Sequence, residues 1–343
     1  MNEQTLKATA AALTADAKGL LAMDESNPTA DKRFAALGIP PTPGMRRAYR
    51  DMIVTAPGLS EAISGAILYD ETIRSATLAD VPFAQALEQV GIIPGIKVDA
   101  GTRPLALHDG ELVTEGLDGL RDRLADYARM GARFAKWRAV ITIADARNAP
   151  SRGCIEANAH ALARYAALCQ EADVVPIVEP EVLMDGDHAL ARCAEVTERT
   201  LLAVFDALRA QRVLLEGMVL KPNMVAPGLK CVTQAGVDEV ADATLAVFRR
   251  AVPAAVGGVA FLSGGQSAQD ASARLNAMHQ RHGRELPWPL AFSFARAIQD
   301  PAMKAWAGKK ENVAAAQKTL VERARLNRLA RRGEYSVAME TPH

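Results

Sequence analysis

Lys221 occupies a position where a lysine needs a chemical or structural reason. It follows an apolar run, residues 217–220, and precedes Pro222 and Asn223, so a cation stands where a buried strand is expected to end. Burying an unpaired lysine costs free energy, and a desolvated lysine with a lowered pKa is the amine that forms Schiff bases with carbonyl compounds. The alternative is a structural lysine whose stem packs on the core while its ammonium group reaches water.

Charged residues follow or interrupt several other apolar runs. They are the cations Lys97, Lys136, Arg138 and Arg296, and the carboxylates Asp24, Glu179 and Glu181. Gathered in one site, the cations would hold phosphate groups and lower the pKa of one lysine, while the carboxylates would transfer protons. The alternative is a set of mutually compensating ion pairs. From residue types alone, the nucleophile is Lys97, Lys136 or Lys221.

A Ser-Gly-Gly segment, Ser263, Gly264 and Gly265, follows a further apolar run. Glycines let backbone N–H groups approach an anion closely, and a helix beginning after them presents its positive end. A Gly-Gly pair also makes a tight turn without any ligand. Because Arg296 is expected one strand away, we interpret the segment as a phosphate-binding loop.

The elements that must position these residues are eight short apolar runs. They are residues 20–23, 66–69, 92–96, 134–135, 174–178, 217–220, 259–262 and 290–295. Such runs are typical of strands buried on both faces, and the segments between them have room for a helix and two loops. Apolar spacings of three and four predict helices within 155–169, 117–132 and 267–279, the last with Ser267 as N-cap.

Alternation of eight strands with helices predicts an α/β fold, a closed parallel (β/α)8 TIM barrel, with functional residues at the C-terminal ends of its strands. An open doubly wound sheet is the alternative, but no Gly-x-Gly-x-x-Gly segment follows the first run. Barrels of this length commonly form one unit, so we expect residues 1–343 to be a single domain.

Composition limits the partners. The chain has 343 residues, of which 49% are apolar, and lysine plus arginine equals aspartate plus glutamate at 40 each. This balance gives no overall field to favour nucleic acid or an anionic membrane, so we expect small-molecule partners. No run approaches the ~18 apolar residues of a membrane span, and the start lacks a signal-peptide pattern, so we expect a cytoplasmic protein.

We expect no metal and no cofactor. The four cysteines, Cys154, Cys169, Cys193 and Cys231, show no C-x-x-C spacing, which argues against a zinc or redox site. His279 and His282 are spaced to share a helix face, but no acidic ligand stands beside them and their neighbours include arginines. Any electrophile must then come from side chains.

Longer strings around these residues resemble class I fructose-bisphosphate aldolase. They lie at residues 21–26, 95–99, 136–138, 176–181, 220–224, 261–266, 292–296 and 304–312, in order and on every strand. The resemblance extends from about residue 15 to about residue 335. Several strings in register are far more specific than any one of them.

The resemblance implies a barrel that reversibly cleaves fructose 1,6-bisphosphate to dihydroxyacetone phosphate and glyceraldehyde 3-phosphate, in glycolysis or gluconeogenesis. By the family pattern Lys221 is the Schiff-base lysine, whose iminium accepts the electrons of the broken bond in place of a metal. Glu179 resembles the general acid/base and Lys136 a supporting cation. Asp24 resembles the carboxylate near the carbon 4 hydroxyl, and Glu181 a residue that orients the lysines.

The same pattern implies two phosphate-binding ends and a tetramer. The residues that resemble the 1-phosphate cradle are Ser263, Gly264, Gly265, Ser293 and Arg296. Those that map to the other end are Ser26, Arg33 and Lys97, with Arg138 lining the mouth. Family members are commonly homotetramers, and the sequence does not choose between bisphosphate and monophosphate substrates.

Two departures from the family pattern bear on function. Ala295 stands where the family usually has glycine, beside the phosphate cradle. The chain ends in His343, whereas many members end in a tyrosine on a mobile tail that exchanges the proton of the enamine. Residues 330–343 are expected to form a short mobile tail, and Tyr335 aligns with a tyrosine at the base of the family's tail. The group that donates a proton to the enamine is then His343, water or another group.

Two other functions remain open. A different Schiff-base lyase acting on a phosphorylated ketose would share the mouth but lack a cradle at both ends. A barrel that only binds or scaffolds would keep the cations without a buried amine. Its partner surface would then be the arginine-rich stretch at residues 323–332, which we otherwise expect to be a solvated helix face.

Overall fold

A computed structural model describes residues 1–283 and 285–340. Eight parallel strands close into a barrel in which consecutive strands pair and the last pairs with the first. Their bounds are β1 Gly19–Ala22, β2 Ile63–Leu68, β3 Ile93–Lys97, β6 Phe134–Ile141, β7 Val175–Val182, β8 Val219–Leu220, β9 Val259–Phe261 and β10 Leu290–Phe294. The predicted (β/α)8 barrel is confirmed, and the open sheet is excluded.

Helices surround the barrel. Within the described ranges they are α1 Glu3–Leu13, α2 Asn27–Ala35, α3 Pro43–Val54, α4 Asp70–Ile73, α5 Phe83–Gln89, α6 Leu120–Arg129, α7 Arg152–Glu171, α8 Leu190–Ala210, α9 Val237–Ala251, α10 Ala268–His282, α11 Arg296–Trp306 and α12 Val313–Arg332. The three predicted helices are confirmed as α6, α7 and α10. Ser267 is the N-cap of α10, because its side chain accepts a hydrogen bond from Asp270 N.

Two strands continue past the polar residues at which the sequence predicted that they end. β6 extends to Ile141 and β7 to Val182, so Lys136 and Glu179 lie within strands. Side chains alternate between the two faces of a strand, and the outward residues, such as Trp137, are buried against the surrounding helices. The prediction was wrong here because it treated inward-facing charges near the mouth as strand ends.

The barrel interior is a packed core closed at one end by α1. Leu6, Ala10 and Leu13 of this helix join one cluster with inward residues of the strands, including Phe134. Glycine is required beside that ring, because a Cβ on Gly95 would lie 2.2 Å from it. With that end filled, space for a ligand lies at the C-terminal ends of the strands.

A small antiparallel hairpin was not predicted. Its strands, β4 Thr102–Pro104 and β5 Leu112–Thr114, pair between β3 and β6. Thr114 donates its hydroxyl hydrogen to Arg138 O at 2.8 Å, which joins the hairpin to the barrel. The strands are short and carry no alternating apolar pattern, so periodicity gave no signal for them.

The arginine-rich stretch is only partly a solvated face. Arg323 and Arg331 are buried, at 3% and 9% exposure, whereas Arg325 and Arg332 are exposed. The prediction was wrong for the two buried residues because backbone and side-chain acceptors compensate their charges. Arg331, for example, donates to Lys18 O and Thr14 O.

Arg323 joins the C-terminal segment to the fold. Its Nη1 lies 2.5 and 2.6 Å from the two carboxylate oxygens of Glu340, and its Nη2 donates to Ala268 O at 3.1 Å and Ser272 Oγ at 3.0 Å. Tyr335 donates its hydroxyl hydrogen to Glu340 Oε1 at 2.8 Å. Glu340 thus compensates a buried charge and fixes the segment against α10 and α12.

We expect Glu340→Ala to lower the free energy of unfolding by about 2–4 kcal/mol, because it leaves Arg323 buried without a counter-charge. Urea unfolding of both proteins measures the difference. Glu334, whose side chain is 56% exposed and 4.0 Å from Arg332, is the matched control, and Glu334→Ala should change little. Equal loss in the two variants would contradict a stabilising role for the Arg323–Glu340 pair.

His279 makes stability depend on pH. Burial and the nearby Arg331 guanidinium lower the pKa of His279 to about 4, from an ordinary 6.5. The unfolded chain therefore takes up a proton that the folded protein excludes, and stability is lost as the pH falls from 6.5 towards 4. The free energy of unfolding should fall between pH 7 and pH 4.5 in both proteins. We expect this fall to be about 2 kcal/mol smaller in His279→Gln than in the wild type. The same pH dependence in both proteins would contradict this.

None of the helices in the described ranges is long and apolar enough to cross a membrane.

Candidate active site

Four buried charges of alternating sign form a network at the C-terminal ends of the strands. Lys221 Nζ lies 3.0 Å from Glu179 Oε1, and Lys136 Nζ lies 3.4 Å from Glu179 Oε2 and 2.6 Å from Asp24 Oδ2. All four residues are at most 9% exposed. Asp24 follows β1 and Lys136 lies on β6, which are not neighbours, so their ion pair crosses the barrel mouth. We call these residues the charge network.

The electrostatics of the network fix two protonation states at neutral pH. Burial alone would raise the pKa of Asp24, but the Lys136 and Lys221 cations outweigh it and lower that pKa to about 2. Burial alone would lower the pKa of Lys136, but the carboxylates of Asp24 and Glu179 outweigh it and raise that pKa well above its ordinary value. Asp24 is therefore ionised and Lys136 charged, which makes Lys136 unsuited to act as a nucleophilic amine.

A cavity of about 500 Å³ opens above the charge network. Its walls include eleven of the predicted site residues, with Ala295 beside them: Asp24, Arg33, Lys136, Arg138, Glu179, Glu181, Lys221, Ser263, Gly264, Ser293 and Arg296. A cavity of this size accommodates a small phosphorylated sugar. Most of the predicted site is thus brought together around one space.

One wall of the cavity has the features of an anion cradle. Ser293 Oγ is buried and has no hydrogen-bond partner in residues 1–283 and 285–340, so it is free for a ligand. Gly264 and Gly265 have φ of 56° and 98°, the left-handed region that favours glycine, which supports the predicted loop. Arg296 is exposed and forms no ion pair with a carboxylate of the described residues. A Cβ on Gly265 would lie 3.8 Å from Arg296 Nη2, so loop and guanidinium face the same space.

The wall around Arg33 is built differently, because its arginine is already paired. Arg33 donates through Nη1 to Glu25 Oε1 and through Nη2 to Asp300 Oδ1, the latter at 2.6 Å. Glu25 also lies 2.9 Å from Arg50 Nη1 and accepts from Gln299 Nε2 at 2.9 Å. The guanidinium of Arg33 is therefore positioned by carboxylates before any ligand arrives.

Three predicted residues lie outside the cavity wall. Lys97 pairs with Asp99 Oδ1 at 2.6 Å, although its charge contributes to lowering the pKa of Asp24. Ser26 shares a hydrogen bond of 3.0 Å with Thr29. Gly265 lines a smaller neighbouring cavity that also includes Arg296 and Lys304.

Carboxylates fix the remaining cation of the mouth. Arg138 donates through Nε to Glu181, whose side chain is buried, while the guanidinium itself is partly exposed. A Cβ on Gly264 would lie 3.8 Å from Glu181 Oε1, so this carboxylate stands between the cradle and Arg138. The ion-pair partner of Glu181 among the described residues is Arg138, and its predicted role in orienting the lysines stays a prediction.

Sequence reasoning missed several residues that shape the site. They are Glu25, Arg50, Asp99, Gln299 and Asp300, together with Thr29 and Lys32 on the cavity wall. Two of them had a local signal, because Glu25 follows Asp24 and Asp99 lies two residues after Lys97. Asp300 had none, since it contacts a residue 267 positions away. In residues 1–283 and 285–340, no group of three or more His, Cys, Asp or Glu side chains is arranged to hold a metal ion.

Comparison with known proteins agrees with this geometry. The family model described as fructose-bisphosphate aldolase class-I matches residues 5–343. The chain is 55% identical over 336 residues to a protein named "Probable fructose-bisphosphate aldolase class 1" from Xanthomonas campestris, covering 98% of this chain and 99% of that one. It is 47% identical to "Fructose-bisphosphate aldolase 1, chloroplastic" from Chlamydomonas reinhardtii, covering 99% and 88%.

A solved structure supports the same assignment. Fructose-bisphosphate aldolase from Plasmodium falciparum superposes with a TM-score of 0.95 at 46% identity, and the match covers 97% of this chain and 95% of that one. Fold, length and sequence agree across these relatives. The chain therefore belongs to the class I fructose-bisphosphate aldolase family.

Proposed function

We propose that the charge network and the cavity above it carry out the aldolase reaction of this family. The chain is a Schiff-base lyase that cleaves fructose 1,6-bisphosphate to dihydroxyacetone phosphate and glyceraldehyde 3-phosphate and catalyses the reverse condensation. The observation that supports the residue assignment best is the 3.0 Å contact between Lys221 Nζ and Glu179. It lies at the base of a cavity whose Arg296 has no carboxylate partner in the part of the chain that the structure describes.

Lys221 is the proposed nucleophile. Its amine attacks carbon 2 of the ketose after passing a proton to Glu179, which lies within hydrogen-bond distance. Lys136 is the less suitable amine because two carboxylates keep it protonated. Lys97 is held by Asp99 outside the cavity wall. These contacts favour one of the three lysines that residue types left open.

Glu179 is the proposed proton shuttle. As a protonated acid it gives its proton to the carbinolamine hydroxyl, which leaves as water and produces the iminium at carbon 2. The iminium then accepts the electron pair of the carbon 3 to carbon 4 bond, and an enamine results. Lys136, 3.4 Å from the other oxygen of Glu179, stabilises the carboxylate each time the proton is released.

Asp24 and Lys136 are proposed to act where the bond breaks. Asp24 is ionised and accepts the proton that the carbon 4 hydroxyl loses as the aldehyde forms. Lys136 is the neighbouring cation that stabilises negative charge developing on that oxygen. The enamine is then protonated at carbon 3 by His343, water or another group. His343 lies outside the described residues.

Two walls are proposed to hold the two phosphates. Ser263, Gly264, Gly265, Ser293 and Arg296 would bind the 1-phosphate. Ser26, Arg33 and Lys97 would bind the other end, with Arg138 and Glu181 at the mouth. Ala295, the N-cap of α11, has φ −103° and ψ −89°, outside the left-handed region, so glycine is not required there.

The larger assembly is also a proposal. We propose a cytoplasmic homotetramer of single-domain chains, residues 1–343, in which residues 330–343 form the C-terminal segment. The segment is packed as far as Glu340 through its contacts with Arg323 and Tyr335.

Borohydride trapping tests the proposed function. Incubation with dihydroxyacetone phosphate and borohydride should inactivate the enzyme and add one reduced adduct per chain, on Lys221, as located by peptide mass spectrometry. Cleavage of fructose 1,6-bisphosphate should continue in the presence of a chelator. Loss of activity to the chelator, without trapping, would favour a metal mechanism; a folded protein that neither traps nor cleaves would be a binding barrel.

A further inference from the structure

The two proposed phosphate-binding walls differ in how their arginines are balanced. Arg296 has no carboxylate partner among the described residues, so its charge is available to a ligand. Arg33 pairs with both Glu25 and Asp300. A phosphate arriving at Arg33 must therefore compete with carboxylates that are bound to its guanidinium. Asp300 also lines the small cavity beside Arg296, but its ion-pair partner is Arg33.

The two carboxylates on Arg33 do not have the same role. The Glu25 side chain is 10% exposed and also contacts Arg50 and Gln299, so it belongs to the fold as well as to the wall. The Asp300 side chain, on α11, is 44% exposed, and its hydrogen-bond partner is Arg33 Nη2 at 2.6 Å. Asp300 can therefore be changed without dismantling the wall.

We propose that Asp300 is a specificity-determining residue that competes with the second phosphate of the substrate for Arg33. This inference rests on the proposed function, in which Arg33 binds that phosphate. Asp300 occupies a guanidinium N–H group and places a negative charge beside the incoming dianion. It therefore weakens binding of a bisphosphate more than binding of a ketose 1-phosphate, because it is hydrogen-bonded to Arg33 and only lies near Arg296. The structure thus assigns to Asp300 part of the discrimination between the two substrates.

The test compares two substrates in one variant. Asp300→Asn keeps the size of the side chain and removes its charge. We expect kcat/KM for fructose 1,6-bisphosphate to rise about two- to fivefold through a lower KM, as for other partly exposed ion pairs, and kcat/KM for fructose 1-phosphate to rise less. Added salt should reduce the gain, because charges near solvent are screened. Asp300→Glu, which restores the charge, should keep the wild-type ratio.

A matched control separates this effect from a general change in charge. Asp206 lies near the end of α8, before β8, and pairs with Arg209 at 2.9 Å with 75% exposure. Asp206→Asn should leave both substrates unaffected. An unchanged or lower ratio of bisphosphate to monophosphate activity in Asp300→Asn would overturn the inference, as would an equal change for both substrates. Failure of the wild-type enzyme to cleave either substrate would contradict the proposed function instead.

Discussion

Lys221→Met should reduce kcat for cleavage of fructose 1,6-bisphosphate by about four orders of magnitude or more, because the covalent path is lost with the amine. Methionine preserves the length and the apolar stem of the side chain, and Glu179 keeps Lys136 as its counter-charge. The fold should therefore persist. Steady-state kinetics and borohydride trapping measure the result, and the trapped adduct should be absent.

Lys136→Met is the informative comparison for this prediction. This variant also removes a buried lysine, but borohydride should still trap an adduct on Lys221. The adduct should form more slowly, because Glu179 loses a neighbouring cation. Circular dichroism establishes that both variants are folded. An adduct on Lys136 in the Lys221→Met enzyme, with activity within tenfold of wild type, would show that the nucleophile has been misassigned.

Glu179→Gln should lower kcat by about 10²- to 10⁴-fold, the range expected for removal of a general acid/base. Glutamine keeps the shape and can still hydrogen-bond to Lys221, but it cannot carry a proton between the amine and the carbinolamine. KM should change much less, because Glu179 does not belong to either phosphate-binding wall. Borohydride trapping with dihydroxyacetone phosphate should slow in parallel with kcat.

Glu216 supplies the matched control for Glu179. It is an exposed glutamate in the turn before β8, the strand that ends at Lys221. Glu216→Gln makes the same chemical change without touching the cavity and should leave kcat within about twofold, as for most surface substitutions. If Glu179→Gln kept wild-type kcat while trapping on Lys221 proceeded normally, the proton would have to travel through another group.

The order of the barrel strands was readable from the sequence because both faces of each strand are buried, and such strands appear as short apolar runs. The position of Lys221 after one of these runs placed it at the mouth. The ends of β6 and β7 were not readable, because a charge facing a ligand cavity inside a strand resembles a charge that ends a strand. The two-residue periodicity of β6 is visible only once the outward packing of Trp137 is known.

The site was less predictable than the fold, because its contacts join distant parts of the chain. Gln299 donates to Ala22 O across 277 positions, and no local pattern indicates such a contact. The choice among three lysines likewise depends on partners. Lys136 meets Asp24 from the other side of the barrel, whereas Lys221 meets Glu179 on the adjacent strand. Charge at strand ends signalled a site but not the pairing within it.

The ion pair that crosses the mouth has a consequence for engineering and for evolution. Replacing a buried ion pair by apolar side chains of similar volume often raises the stability of the folded protein, by about 1–4 kcal/mol. A selection for heat resistance alone would therefore favour replacing Asp24 and Lys136 together by apolar residues, and it would fill the mouth of a still perfectly folded barrel. Retention of this pair in a thermostable descendant would be a sign that catalysis, and not folding, was under selection.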